Sequence, residues 1–167
     1  RNIPAVELLN KIGLSKFNEL MVDLKLESYY DRNQAGLTSA LGGLSISLLD
    51  MTNAYGVLAR EGEFLPYAII SNSMLEKPKR VFTSGSTTML KECLIYNKDF
   101  NFYAKTGTSW GPRDAWCIGY DKIYSIGVWV GLKNGGSMNG VTGEATAYPL
   151  LGQIFSILSK GVEVISK

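Results

Sequence analysis

Five consecutive residues, Lys105-Thr106-Gly107-Thr108-Ser109, combine the groups needed to hold an anion at the end of an extended segment. Lysine brings a point charge, and the Thr106 and Thr108 hydroxyls bring rotatable donors. Gly107 has no side chain, so a ligand can lie against the backbone there. The preceding run Phe100-Asn101-Phe102-Tyr103-Ala104 alternates in the manner of a strand with one buried face. The chemistry implied is recognition of a carboxylate or a similar anion.

Histidine is absent from all 167 residues. That removes Ser-His-Asp and Cys-His nucleophile systems, histidine-ligated zinc and imidazole base catalysis together. An enzyme of this composition moves protons with lysine, hydroxyl or carboxylate groups. Two cysteines, Cys93 and Cys117, are too few for a disulfide framework, and both lie in apolar contexts that predict small buried hydrophobes. The chain is 46% hydrophobic and 19% charged with a net charge of +2, which allows one buried core and gives no nucleic-acid footprint. The cluster Lys77-Pro78-Lys79-Arg80 reads as a solvated loop. No apolar run approaches the roughly 20 residues that a bilayer span requires.

The elements that must position the Lys105 run follow from periodicity and caps. Residues 2–12 predict a helix, with Asn2 as cap, Pro4 in the first turn and Gly13 beyond the end. A second starts at Ser15 and puts Phe17, Leu20, Met21 and Leu24 on one face. Residues 27–35 read as loop and 36–43 as a small-residue stretch. Ser45 or Ser47 caps a third helix with Leu48, Met51, Tyr55 and Leu58 inward and Gly62 as the stop. An extended run from Phe64 to Ile70, a polar connector from Ser71 to Ser84, and a helix through Met89, Leu90, Cys93 and Leu94 come next. Three strands are predicted over 100–108, 115–120 and 123–132, the last two joined tightly at Asp121-Lys122. A glycine-rich loop follows. A final helix spans Glu144 to Lys160 with Leu150, Leu151, Ile154, Phe155 and Leu158 on its apolar side, and Pro149 marks a late start or a kink. Helices first, then an antiparallel meander with a covering helix, predict an α+β fold.

Carried on through Trp110-Gly111-Pro112-Arg113-Asp114-Ala115-Trp116, the Lys105 run resembles the Lys-Thr-Gly strand of the class A penicillin-binding transpeptidases. Asn2-Ile3-Pro4-Ala5-Val6 resembles the start of the helix after that family's Ser-x-Asn motif. Residues 40–43 with 47–55 resemble its helical subdomain, and Gly127-Val128-Trp129-Val130-Gly131 resembles the strand after Lys-Thr-Gly. The resemblance implies the β-lactamase/transpeptidase-like fold, with 1–63 mainly a helical subdomain and 64–167 the sheet portion. It implies a fold incomplete here, because the family's first strands and nucleophile helix precede Asn2. It also implies acyl transfer between peptidoglycan stem peptides ending in D-Ala-D-Ala, covalent trapping by β-lactams, no cofactor or metal, and a periplasmic location with an inner-membrane anchor elsewhere in the parent.

On that resemblance Lys105, Thr106 and Thr108 hold the substrate's terminal carboxylate, with Gly107 and Ser109 beside it. The Thr108 N–H is an oxyanion donor, Lys105 helps to move a proton, and Asn2 bonds the substrate amide or the nucleophile's lysine. Trp110, Arg113 and Asp114 shape the cleft mouth, or else an Arg/Asp pair merely steadies a loop. The pattern departs from the family in one decisive respect: no Ser-x-x-Lys occurs. Thr88-Met89-Leu90-Lys91 has the spacing but the wrong place in chain order, and reads as helix surface. Ser137-Met138-Asn139 follows the Lys-Thr-Gly strand and reads as a turn. The nucleophilic serine and the rest of the domain are therefore expected upstream of Arg1, and this piece is expected to be inactive alone. A D,D-carboxypeptidase or β-lactamase-type hydrolase and a non-catalytic penicillin sensor remain as alternatives.

Overall fold

The computed structural model describes residues 2–27, 35–70, 76–109 and 111–165, with side chains as far as Ser159. The element order is α1 (Asn2–Ile12), α2 (Leu14–Asp23), a 3-10 turn (Gly36–Leu41), α3 (Leu48–Ala59), β1 (Glu63–Phe64), β2 (Lys79–Arg80), α4 (Ser84–Lys91), β3 (Ile95–Asn97), β4 (Phe102–Thr108), β5 (Asp114–Tyr120), β6 (Ser125–Gly131), a π turn (Gly143–Ala147) and α5 (Tyr148–Ile165). The expected α+β arrangement holds. Most of the loop expected at 27–35 lies outside the described residues.

β3, β4, β5 and β6 form one antiparallel sheet in chain order, and β1 and β2 form a separate short pair. β4 and β5 run in register from Tyr103↔Tyr120 to Thr108↔Ala115, and β5 and β6 from Asp114↔Gly131 to Tyr120↔Ser125. The Asp121 carboxylate accepts from the Ile123 and Tyr124 N–H groups, which closes the β5–β6 connection at the predicted place.

One face of the sheet lies under α5. Phe102, Ala104, Ala115, Cys117 and Val128 project there and pack with Ala147, Leu151 and Phe155. The Phe102 and Phe155 rings stack at 4.3 Å between centroids. The opposite face receives α3: Ser125 Oγ donates to the Thr52 carbonyl, and a side chain at Gly127 would collide with Thr52 and Leu48. A second core joins α2, α3 and β1 through Met21, Leu24, Leu26, Ala54, Val57 and Phe64. Because α3 serves both the second core and the sheet, its buried residues are Ala54, Gly56, Val57 and Leu58. Leu48, Met51 and Tyr55 are only half-buried. The stripe is wider than the single line expected. Ser47 supplies the cap, accepting from the Asp50 N–H at 3.0 Å.

Several expectations are corrected. The extended run from Phe64 to Ile70 shrinks to Glu63–Phe64, since among the described residues its strand partner is the two-residue β2, and Pro66 cannot donate to a ladder. Lys79 and Arg80 of the basic cluster are ion-paired, with Asp23 and Glu63. In α5 the helix proper begins at Tyr148 after the π turn, so Pro149 sits in its first turn. Leu151 and Phe155 are buried, whereas Leu150 and Ile154 on the flank are exposed. α4 ends at Lys91, which puts Cys93 beyond the helix and exposed, while Cys117 is buried.

Burial pushes the Cys117 thiol up to about 12, with the nearby Lys105 charge opposing it. The thiolate is the reactive form. Alkylation of the folded protein followed by peptide mapping should therefore modify Cys93 and leave Cys117 untouched until denaturant is added. Equal modification of both would contradict this packing.

Candidate active site

The Lys105 run occupies the C-terminal half of β4, where the sheet leaves one margin bare. In an antiparallel ladder, successive residues turn their N–H and C=O groups to opposite sides. Ser109 N–H bonds the Asp114 carbonyl, so the odd-numbered residues of β4, Lys105 and Gly107 included, bond inward to β5. Thr106 and Thr108 consequently direct their N–H and C=O groups the other way. On that side β3 covers only Phe102 to Ala104. From Lys105 to Thr108 the margin has no neighbouring strand among the described residues.

The side chains fit that margin. Lys105 is exposed, on the face opposite the α5 core, and its Nζ folds around to donate to the Thr106 carbonyl at 2.6 Å. A cation and the outward N–H of Thr108 thus stand on one open edge. The Thr108 hydroxyl turns to the α5 side and accepts from the Gly143 N–H at 2.9 Å, keeping its own proton to donate. Ser109 Oγ accepts from the Arg113 and Asp114 N–H groups at 3.2 and 3.0 Å, so this hydroxyl closes the β4–β5 turn. Arg113 is exposed beside Gly111. Asp114 accepts from the Trp129 indole N–H at 3.3 Å, and not from Arg113, which favours neither Arg/Asp pairing nor a cleft-mouth role by itself. Trp110 and Arg1 lie outside the described residues.

Asn2 opens α1 and is exposed. Its helix packs with α2 and the 3-10 turn, whereas β4 packs with β3, β5 and the π turn. The structure brings Lys105, Thr106, Gly107 and Thr108 together and places Asn2 in a different packing unit. Thr88-Met89-Leu90-Lys91 lies on α4 with Met89 exposed, and Lys91 Nζ stands 5.8 Å from the Tyr103 ring centroid, as suits a helix surface. Met138 N–H bonds the Pro112 carbonyl, tying the Ser137-Met138-Asn139 segment to the β4–β5 turn. A surface recess lined by Val22, Asp23, Lys25, Phe64, Pro66 and Glu76 lies on the helical side, flanked by exposed ion pairs and without a nucleophile. Among the described residues no cluster of His, Cys, Asp and Glu could hold a metal, and no helix is long and apolar enough to cross a membrane.

Comparison with known proteins shows what the chain is related to. The chain is 32% identical to penicillin-binding protein 1C of Escherichia coli over 94% of its own length, and 28% identical to penicillin-binding protein 4 of Bacillus subtilis over 78%. The chain is a homologue of the penicillin-binding proteins. No family model matches it. It spans 22% and 24% of the length of those two relatives. Among solved structures, penicillin-binding protein 1A of Haemophilus influenzae superposes with a TM-score of 0.70 over 86% of this chain and 30% of that one, at 18% identity. The transpeptidase domain of Burkholderia pseudomallei penicillin-binding protein 3 gives 0.60 over 78% and 53%, at 16% identity. The fold is that of the penicillin-binding transpeptidase domain.

Sequence reasoning missed Gly143, which touches the Lys105 run from the other side of the sheet. Thr142 before it caps the turn, accepting from Ala145 N–H. Nothing local announces that the turn it caps lands on Gly107.

Proposed function

We propose that this chain supplies the donor-binding edge of a peptidoglycan D,D-transpeptidase, within a longer penicillin-binding protein. The observation that carries the reading is the bare margin of β4 from Lys105 to Thr108, with an ammonium and an outward backbone N–H on it. An extended peptide laid along such a margin gains ladder hydrogen bonds from Thr106 and Thr108. Its terminal carboxylate meets Lys105 and the threonine hydroxyls in charge-assisted bonds. Gly107 keeps the approach clear, and Ser109, Arg113 and Trp110 belong to the turn bordering it.

In the proposed reaction a serine supplied by another segment of the same domain attacks the penultimate D-alanyl carbonyl. The carbon–oxygen bond forms, negative charge gathers on the carbonyl oxygen, and the Thr108 N–H stabilises it. The peptide bond then breaks, the terminal D-alanine leaves with the serine proton, and the acyl-enzyme passes its acyl group to an amine of a second stem peptide. A β-lactam acylates the same serine through its ring carbonyl. Lys105 assists the proton transfer, and Asn2 reaches the substrate amide or the nucleophile's lysine once the missing segment orders α1 against the sheet. The protein acts outside the cytoplasmic membrane, held there by an anchor elsewhere in its sequence. The other margin of β6, an uncharged seven-residue strand that among the described residues pairs only with β5, supports docking of another segment of the domain as a further strand. The isolated chain is accordingly inactive.

Covalent labelling of the full-length protein by a fluorescent penicillin tests this. The wild type should label, and Lys105→Ala should label about 10- to 100-fold more slowly, the worth of charge-assisted hydrogen bonds. No label on the wild type, or an unchanged rate in the variant, would remove the proposal or the role of Lys105 respectively. Products formed from a stem peptide with and without an amine acceptor separate cross-linking from hydrolysis.

A further inference from the structure

We propose that Gly143 is a positioning residue, a side-chain-free seat that fixes the peptide unit between Gly107 and Thr108. The inference rests on the transpeptidase reading above and assigns it a residue in the π turn, 35 positions after Thr108. Gly143 is buried against the α5 side of the sheet, directly over the Gly107–Trp116 rung. A Cβ placed on it would stand 2.5 Å from the Gly107 carbonyl oxygen, 2.6 Å from the Trp116 carbonyl oxygen and 2.9 Å from the Gly107 nitrogen. All three atoms are backbone, locked in the β4–β5 ladder, so none can swing aside as a side-chain end could. Only glycine fits.

Its N–H also donates to Thr108 Oγ1 at 2.9 Å, so one residue lies against the carbonyl of that peptide unit and holds the side chain of the residue that carries its N–H. That unit is planar, and its C=O and N–H point in opposite directions. The Gly107 carbonyl points in toward β5, and the Thr108 N–H points out to the bare margin. A push on the carbonyl therefore moves the N–H. The turn resists displacement because it is tied internally: Thr142 accepts from Ala145 N–H, and Thr146 donates its hydroxyl to the Thr142 carbonyl at 2.6 Å. Ala147 and Leu151, just beyond it, are fully buried. The seat aims an oxyanion donor and has no contact with ligand of its own.

A misplacement of about 1 Å in a reacting geometry can cost 10²-fold in rate. Gly143→Ala in the full-length protein should thus slow the acylation step with a fluorescent penicillin by about 10²-fold. The affinity of the complex that precedes acylation should change little, because an oxyanion donor acts on the transition state. Gly152→Ala, where a new methyl meets nothing within 4 Å, is the control and should acylate as the wild type does. If Gly143→Ala does not fold, Thr142→Val decides: loss of the cap that ties the turn internally should slow acylation about tenfold at unchanged initial affinity. Weakened initial affinity with an unchanged acylation rate would overturn the proposal, as would a wild-type rate in a folded Gly143→Ala. A wild type that takes no label removes the transpeptidase reading, and this inference with it. Label on the wild type together with a wild-type rate in Gly143→Ala removes this inference alone.

Discussion

Phe155→Ala should lower the stability of the sheet and its covering helix by about 3–5 kcal/mol, the range for removing a buried aromatic ring. Phe155 is 2% exposed and stacks on Phe102, which is fully buried at the start of β4. The same core cluster holds Phe102, Val128 and Leu151 beside the small side chains of Ala104, Ala115, Cys117 and Ala147. The small members have little reach, so the cavity closes only in part and the cost should stay within that range. Hydrogen exchange of the β4 and α5 amides in the full-length protein measures the loss where it occurs. Phe155→Leu, which fills most of the space, should cost about 1–1.5 kcal/mol. Equal, small losses in both variants would mean that the ring stack is not what holds α5 to the sheet.

Gly62→Ala should be nearly as damaging, for a different reason. Gly62 has φ +102°, a region that L residues rarely adopt, and a methyl group there would run into the Phe82 carbonyl. The residue also makes three backbone hydrogen bonds. Its N–H bonds the Val57 carbonyl at 2.8 Å, and its carbonyl accepts from the Val81 and Phe82 N–H groups at 2.8 and 3.1 Å. It therefore ends α3 and ties it to the segment after β2. Backbone strain of about 1–2 kcal/mol and a clash of about 1–3 kcal/mol should combine to some 2–5 kcal/mol. Gly13→Ala separates the two contributions, because Gly13 has φ +86° but open space around it. The denaturant midpoint of Gly62→Ala should lie well below that of Gly13→Ala. Coincident midpoints would show that conformational strain alone accounts for the glycine.

The strand that holds the Lys105 run and the meander around it were legible because their signals are local. β4, β5 and β6 announce themselves by β-rich runs, and Asp121 marks the turn with a side chain that bonds its own neighbours. β3 was invisible. Ile95 and Tyr96 are exposed, and the strand exists because β4 offers it a partner, not because its residues alternate. Cys93 was misjudged for a related reason: its apolar neighbours Met89 and Leu90 are themselves exposed, so context predicted burial that the helix end does not provide. The hydroxyl roles were also beyond reach. Ser109 looks like a ligand donor in the sequence, but two backbone N–H groups four and five residues around the turn claim its oxygen. Contacts such as Gly143 on Gly107 depend on where a distant turn comes down, which periodicity does not encode.

The shortness of β3 has a metric consequence. It stops opposite Ala104, and β4 ends at Thr108, so among the described residues the unpaired margin is four residues long, roughly 13 Å at the rise of a strand. Within that length only Thr106 and Thr108 face outward, which makes two rungs. If a peptide lies on this margin as proposed, about two of its residues pair before it meets the blunt end of β3. The stub would then act as a ruler, favouring the tip of a polypeptide over its middle by length, before any side chain is consulted.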